Sequence, residues 1–306
     1  MERAREVLQQ RIEDHRGELS LVPDEPYPDE RGVGALSSSV TYGFETWGNI
    51  FTKRQLLALT TLGRLVREVG EQLSEESDRG LAIGVQTCLA LAVDRQADYN
   101  STLCTLNTRG EYIGHNFGRQ ALPMVWDFIE LQTFGDGSGN LDGALDWVFR
   151  ICQDNSILKI GGQVEQSTAT QHPLPSEFAQ TFFSDPPYYD AIAYADLSDF
   201  FYIWLKRNIG KTYSDLFSTQ LVAKTDEIVH LSKRFRGVYD HKTEAYFEEN
   251  MQKAMAEGKR ILDPQGIGVI VFAHKSTAGW EAQLQAMVDA GWTDRKSTRL
   301  NSSHRT

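Results

Sequence analysis

The run "TFFSDPPYYD", Thr181–Asp190, restricts the fold of this chain more than any other stretch. Its apolar start reads as the end of a buried strand, and the strand then meets two consecutive prolines, Pro186 and Pro187. Proline fixes φ and carries no backbone N–H, so neither a ladder nor a helix continues through the pair. The chain must leave the strand through a stiff segment that presents only carbonyl acceptors. A carboxylate, Asp185, stands just before that segment and a tyrosine, Tyr188, just after it.

What surrounds this stop sets its architecture. Downstream, "DLSDFFYIWLKR" has a helical pattern, and "TEAYFEENMQKAMAEGKRILDPQG" predicts a long helix ended by Pro and Gly. "GVIVFAH" is a β-branched run suited to one buried strand. "TAGWEAQLQAMVDAGW" predicts a further helix ending at Gly291. Strand and helix in alternation predict a parallel, doubly wound sheet, and short strand-like runs in "GGQVEQSTAT" (161–170) and "AQTFFSD" would add to it.

The first half reads as mainly helical. Residues 1–20 form a polar amphipathic helix and 21–39 an extended linker. Thr52 is placed to cap a helix carrying Leu56, Leu59, Leu62, Val66, Val69 and Leu73 at the helical period. A second helix runs from about Ser77 to Tyr99, apolar nearly all round, and ends among Asp94, Arg95, Asp98 and Asn100. "GRQALPMVWDFIE" (118–130) and "GNLDGALDWVFRICQD" (139–154) are two more expected helices, and "GDGSGN" (135–140) reads as the loop between them.

Composition excludes several classes. No run approaches the roughly 18 apolar residues that cross a bilayer, and the charged start "MERAREVLQQRIEDHRGEL" is not a secretory signal. Cys88, Cys104 and Cys152 show no CxxC pair, which argues against a disulfide framework or a zinc site and for a reducing cytoplasm. The net charge of −11 makes the surface as a whole a poor ligand for nucleic acid. Residues 206–242 are the exception, with eight Lys/Arg against four Asp/Glu.

At the end of a strand in an open α/β sheet, Asp185 would stand in the crevice where such sheets bind ligands. Two acceptors and a flat aromatic face suit a planar ring bearing an amino group. The amine donates one hydrogen bond to the Asp185 carboxylate and one to the Pro186 carbonyl, and the ring stacks on Tyr188, a contact worth roughly 1–3 kcal/mol. Holding the nitrogen this way is catalysis by positioning, with no metal required.

"DPPY" after an apolar strand resembles the signature of S-adenosylmethionine-dependent amino-methyltransferases that act on adenine or cytosine. Aspartate in first position is more typical of the adenine N6 group. "TWGNIFTKRQLLALTTL", "ALAVDRQADYNSTLC", "FGRQALPMVWDF" and "DPPYYDAIAYADLSDFFYIWLKR" together resemble an adenine-specific DNA methylase family with a DUF1156-type region and a zinc ribbon, over most of residues 40–292. "RILDPQGIGVIVFAH" looks like that family's helix, turn and strand, with Gln265 where glycine is usual. The family's glycine-rich cofactor loop and zinc-ribbon cysteines have no counterpart here. The resemblance therefore implies the C-terminal portion of a longer enzyme, whose N-terminal cofactor-loop region would be its partner.

The implied fold is α/β: a partial Rossmann-like doubly wound methyltransferase sheet preceded by a mainly helical subdomain. The implied divisions are 1–50, helix and linker; 51–155, helical subdomain; 156–293, the methyltransferase portion; and 294–306, a tail resembling adapter-derived read-through. The implied reaction is methyl transfer from S-adenosylmethionine to N6 of an adenine flipped out of DNA. Asp185, Pro186, Pro187 and Tyr188 would be catalytic. Tyr189, Lys206 and Arg207 would bind substrate, with 206–242 as the strand contact, and Thr168 and Ala169 would lie near the cofactor adenine.

Other readings stand beside these. Asp190 would line the pocket or hold the turn, and Asp196 would cap a helix or act as a ligand. His274 would approach substrate phosphate with Lys275, or be structural. Arg119 and Gln120 would contact DNA beside Phe117. Asp94, Arg95, Asp98 and Asn100 would support the pocket or pair between helices. The rival functions are methylation of RNA or of a protein glutamine, or a non-catalytic recognition piece.

Overall fold

The computed structural model describes residues 2–28, 42–76, 78–118, 120–122, 124–158, 160–190, 192–232, 237–274 and 276–293. Its elements in chain order are α1 (Glu2–Asp14), α2 (Lys53–Glu76), α3 (Arg79–Tyr99), β1 (Thr105–Asn107), β2 (Tyr112–Gly114), α4 (Leu141–Asn155), β3 (Ala179–Ser184), α5 (Tyr194–Ile209), α6 (Glu244–Ile261), β4 (Leu262–Ile270) and α7 (Thr277–Asp289). Part of the expected linker, Arg119, Lys233, Arg234, Arg236, Lys275 and the tail 294–306 lie outside the described residues. The described chain is mixed α/β, with a mainly helical region and two small two-stranded sheets.

Two units divide the chain. Described residues 2–162, 193–227 and 237–238 form a helical unit, and 163–190, 192, 228–232, 239–274 and 276–293 form a second. The sequence placed all of 156–293 in one portion, whereas α5 groups with the helical unit. The reason is its apolar face: Phe200 stacks on Phe51 at 6.1 Å, and Trp204 meets Phe51 edge-on at 5.4 Å.

In the helical unit, Thr52 caps α2 as its position suggests. Thr52 Oγ1 accepts from the Gln55 backbone N–H, and Gln55 Oε1 accepts from the Thr52 N–H at 2.8 Å, a reciprocal box that satisfies two otherwise orphaned donors. Leu56, Leu59, Leu62 and Val66 are buried along one stripe. Asp78 caps α3 through the Leu81 N–H, and Asn140 caps α4 through the Gly143 N–H. Glu227 reaches the first turn of α5, accepting from the Ala195 N–H at 3.1 Å.

Three features of this region differ from expectation. The described residues of 118–130 are bends and irregular chain rather than a helix. Proline at 123 removes a donor and biases the residue before it away from helical geometry, which outweighs the apolar spacing. Residues 161–170 form no strand, and Val164 is fully exposed. With one large apolar residue, that run has no face to bury. The hairpin β1–β2 was not expected; Asn107 Oδ1 accepts from the Arg109 and Gly110 N–H groups in its turn.

The second unit contains the parallel pair. β3 and β4 run in register from Thr181↔Ile267 to Ser184↔Ile270, and residues 263–266 bulge out between that stretch and Ala179↔Leu262. A Cβ at Gly266 would meet the Asp263 and Gln180 carbonyl oxygens at 2.9 Å, so the position that demands glycine in this turn is 266. Gln265 is compatible, its N–H donating to Asp263 Oδ1. Helices α6 and α7 pack together, burying Phe247, Met251, Met255, Ala282 and Ala286 with Tyr189. On β3, Phe182 turns toward Trp292 and Gly258, whereas Phe183, Ile267 and Val269 are exposed. That is the two-residue alternation of a strand whose faces differ.

Candidate functional site

Asp185 follows β3 directly, at the carboxyl end of the parallel pair. The last ladder bond runs from the Val271 N–H to the Ser184 carbonyl at 2.8 Å. Past the prolines the chain turns sharply: the Tyr189 N–H donates to the Pro187 carbonyl at 3.0 Å, and Tyr189 has φ +52°. A non-glycine residue there is strained and needs surrounding structure to hold it. The Tyr189 ring lies edge-on to Phe247 at 4.9 Å and to His230 at 5.1 Å, and its hydroxyl donates to Glu244 Oε1 at 2.9 Å. Burial, reinforced by the Glu244 bond, pushes its pKa well above the ordinary tyrosine value.

With Tyr189 turned inward, Tyr188 remains half-exposed beside Asp185. The Asp185 carboxylate lies beside the Tyr188 hydroxyl and raises the phenol's pKa, because losing the proton would set two negative charges together. The Tyr188 ring meets Phe272 edge-on at 5.8 Å, and Phe272 meets Trp280 at 5.3 Å. An acceptor, a stiff turn and an aromatic rim therefore converge at one sheet edge. Asp190, at the end of the turn, bonds His274 Nε2 at 3.0 Å.

The other residues singled out in the sequence fall elsewhere. Tyr189 is 6% exposed and anchors the turn rather than facing solvent. Arg207 lies in the helical unit with its side chain 6% exposed, bonded to Glu25 at 2.7 Å and to the Ser20, Val22 and Ile203 carbonyls. Lys206, on the same helix, donates to the Thr219 carbonyl. Thr168 and Ala169 occupy an exposed turn whose bonds are local, from Thr168 to Thr170 and Gln171. The segment that follows is tied through His172 and Leu174 to Glu257 and Arg260 of α6, near the start of β3.

The basic stretch 206–242 is largely turned inward among its described residues. Lys224 is paired with Asp199 at 2.7 Å, and Lys242 is fully buried, its ammonium over the Tyr239 and Tyr246 rings. Asp196 is buried near Lys224 rather than capping α5. Asp98 pairs with His115 at 3.2 Å, and Arg95 lies over Tyr99 and Trp147, so this group ties α3 to its own unit. Burial pushes the Asp94 carboxyl well above the usual carboxylate range. The His274 side chain is 3% exposed and bonds Asp190.

The sequence reading missed Phe272, Ser276 and Trp280. Ser276 had a signal, since serine before a helical run is a favoured N-cap, and its hydroxyl accepts from the Gly279 N–H. Among the described residues, no helix is long and apolar enough to cross a membrane, and no group of three His, Cys, Asp or Glu could hold a metal. A cavity of about 900 Å³ lies in the helical unit, lined by Leu59, Gly63, Arg67, Gln86, Trp204 and Asn208. None of Asp185–Asp190 lines it. No family model, curated protein or solved structure matches the chain.

Proposed function

We propose that this chain carries the amine-recognition half of an amino-methyltransferase, with N6 of adenine in DNA as target and S-adenosyl-L-methionine as methyl donor. The observation that carries the reading is the placement of Asp185–Tyr188 at the carboxyl end of a parallel strand, where open α/β sheets bind ligands. The pair β3–β4, with α6 and α7 beside it and apolar residues on its other face, supports a Rossmann-like sheet of which this is a part. Asp185 and the Pro186 carbonyl accept the two amine protons, and Tyr188 supports the ring. The rings of Phe272 and Trp280 add apolar surface beside Tyr188. Three free thiols support a reducing, cytoplasmic setting.

The described residues do not fit the methyl donor. Dinucleotide- and adenosyl-type sites rest on a glycine-rich turn between a strand and a helix, and "GDGSGN" leads into α4 with no strand directly before it among the described residues. Thr168 and Ala169 form no cradle. The isolated chain is therefore expected to bind S-adenosylmethionine weakly or not at all, and micromolar binding in calorimetry would contradict this.

Amine recognition is testable without the donor. Saturation-transfer NMR with the full chain should show adenosine binding, a several-fold weaker signal for the riboside of unsubstituted purine, and loss of the difference in Asp185→Ala. Equal signals from both nucleosides in the wild type would sink the reading. A second substrate, a protein glutamine amide, is favoured by one observation: the described cations of 206–242 are mostly spent inside the protein. A glutamine peptide in the same assay separates the two.

A further inference from the structure

We infer that His274 is the positioning residue of this site, a neutral imidazole protonated on Nε2 that ties the Asp185–Asp190 turn to the loop between β4 and α7. The inference deepens the amine-recognition reading and, for its functional meaning, rests on it. Both ring nitrogens are engaged. Nε2 stands 3.0 Å from Asp190 Oδ1, while Nδ1 stands 2.8 Å from Ser276 Oγ and 3.2 Å from the Ser276 backbone nitrogen.

The backbone contact fixes the tautomer. An amide N–H only donates, so Nδ1 must accept and carries no proton. The Ser276 carbonyl, at 3.5 Å from Nδ1, is too distant to claim a proton against that donor. Ser276 Oγ accepts from the Gly279 N–H at the start of α7, leaving its own proton for Nδ1. The imidazole proton therefore sits on Nε2 and is donated to Asp190. A chain of hydrogen bonds runs from the α7 N-terminus through Ser276 and His274 to Asp190.

The surroundings are shaped to seat this ring. A Cβ at Gly279 would fall 2.3 Å from Nδ1, so the first turn of α7 carries glycine where the imidazole lies against it. Tyr189 presents its ring edge-on to the imidazole at 5.6 Å, and the His274 carbonyl accepts from Trp280 Nε1 at 2.9 Å. His274 thus touches the strained turn residue on one side and holds the aromatic rim on the other. Tyr189 is held at its unfavourable φ from the core side by Glu244 and Phe247; His274 holds the next residue, Asp190, from the sheet edge. Because Tyr188 and Asp185 lie in the same turn, fixing Asp190 fixes their position.

Two measurements on the full chain test this. Long-range ¹H–¹⁵N correlation spectra of histidine-labelled protein at neutral pH should show one neutral imidazole protonated on Nε2 that disappears in His274→Gln; a His274 signal protonated on Nδ1, or doubly protonated, would overturn the assignment. Amide exchange tests positioning without any ligand. In Asp190→Ala and His274→Ala, the His230 N–H (which donates to the Tyr189 carbonyl) and the Tyr189 N–H should exchange at least tenfold faster, with the interior of α6 unchanged. Asp190→Asn keeps an oxygen acceptor for Nε2–H and should restore wild-type exchange.

Exchange in Asp190→Asn as fast as in Asp190→Ala would overturn the proposal. So would equal acceleration throughout α6, which marks a general packing role. Adenosine binding should fall tenfold or more in Asp190→Ala and recover in Asp190→Asn. If wild type fails to bind adenosine while the exchange and tautomer results hold, the amine reading falls and His274 still positions the turn.

Discussion

Asp199 gives this protein a stability that should fall as pH rises through the acidic range. Its side chain is fully buried in the second turn of α5, accepting from the Val222 N–H at 2.9 Å and from Lys224 Nζ at 2.7 Å. Desolvation outweighs those favourable contacts and lifts its pKa from 3.8 to about 6. A carboxyl whose folded pKa lies above its unfolded pKa is protonated in both states below about 4 and ionised in both above about 6. Between those limits the unfolded chain loses its proton first, so unfolding gains ground as pH rises. A rise of about two pH units, at about 1.4 kcal/mol each, is worth ~3 kcal/mol of stability, present below pH 4 and lost above pH 6. The perturbation is Asp199→Asn, which keeps an acceptor for the Val222 N–H and stays neutral throughout. Urea unfolding at pH 4, 5, 6 and 7, followed by tryptophan fluorescence, gives the wild type minus variant difference at each pH. That difference should move by ~3 kcal/mol against the wild type between pH 4 and pH 7. The Lys224 contact is already part of that folded pKa, so its loss adds nothing further to the slope. A difference flat to within about 0.5 kcal/mol would mean that Asp199 is not held protonated by burial, and the reasoning would fail.

Three further outcomes follow from the packing. Arg207→Ala leaves Glu25, 3% exposed, without its cation and should cost about 3–5 kcal/mol in denaturant unfolding; a cost near zero with weaker nucleic-acid binding would return Arg207 to the substrate contacts. Thr52→Ala removes one half of the α2 box and should cost ~1 kcal/mol in the same assay, whereas Thr52→Ser should be close to neutral. Cys88 and Cys152 hold their sulfurs 3.8 Å apart. Glutathione disulfide should therefore oxidise the pair to a disulfide, itself being reduced to two glutathione thiols, and mass spectrometry should find the product lighter by two hydrogens. Burial, and then the neighbouring Cys152, raise the Cys88 pKa, so the reaction should quicken toward alkaline pH. An unchanged mass after prolonged oxidation would show that the helices do not close.

What could be read from the sequence was whatever depends on neighbours in the chain. The α2 cap needs only Thr52 and Gln55, the end of α6 needs only the Asp-Pro-Gln-Gly turn, and α7 stops at Gly291 with φ +79°. The strand before Asp185 was visible because prolines and aromatics occur together there. Pairings across long separations were not visible. Arg207 meets Glu25, 182 positions away, and Lys224 meets Asp199, so two of the cations that looked like a nucleic-acid surface are held inside the protein. The same holds for Cys88 and Cys152, 64 positions apart. Local spacing also misled where an apolar period crossed Pro123, since periodicity ignores the missing donor. His274 could not be assigned from the sequence because its role depends on Asp190, 84 positions earlier.

The two adjacent tyrosines show how the turn after β3 is specified. A chain that only needed to reverse after the prolines would place glycine at 189, because φ +52° costs a side-chain-bearing residue roughly 1–2 kcal/mol. Tyr189 offsets that by burying its ring among Phe247, His230 and His274, a gain of about 1.5–3 kcal/mol for a large apolar group. The left-handed backbone at 189 then sends consecutive side chains in different directions. One tyrosine goes into the core and the other stays at the surface against Asp185. Glycine would supply the bend without the anchor, and Tyr188 would be free to leave the carboxylate. Residue 189 thus sets the shape of the turn, and residues 185 and 188 carry its polar groups at the surface. That division explains why a strained tyrosine stands where a relaxed glycine would also have let the chain turn.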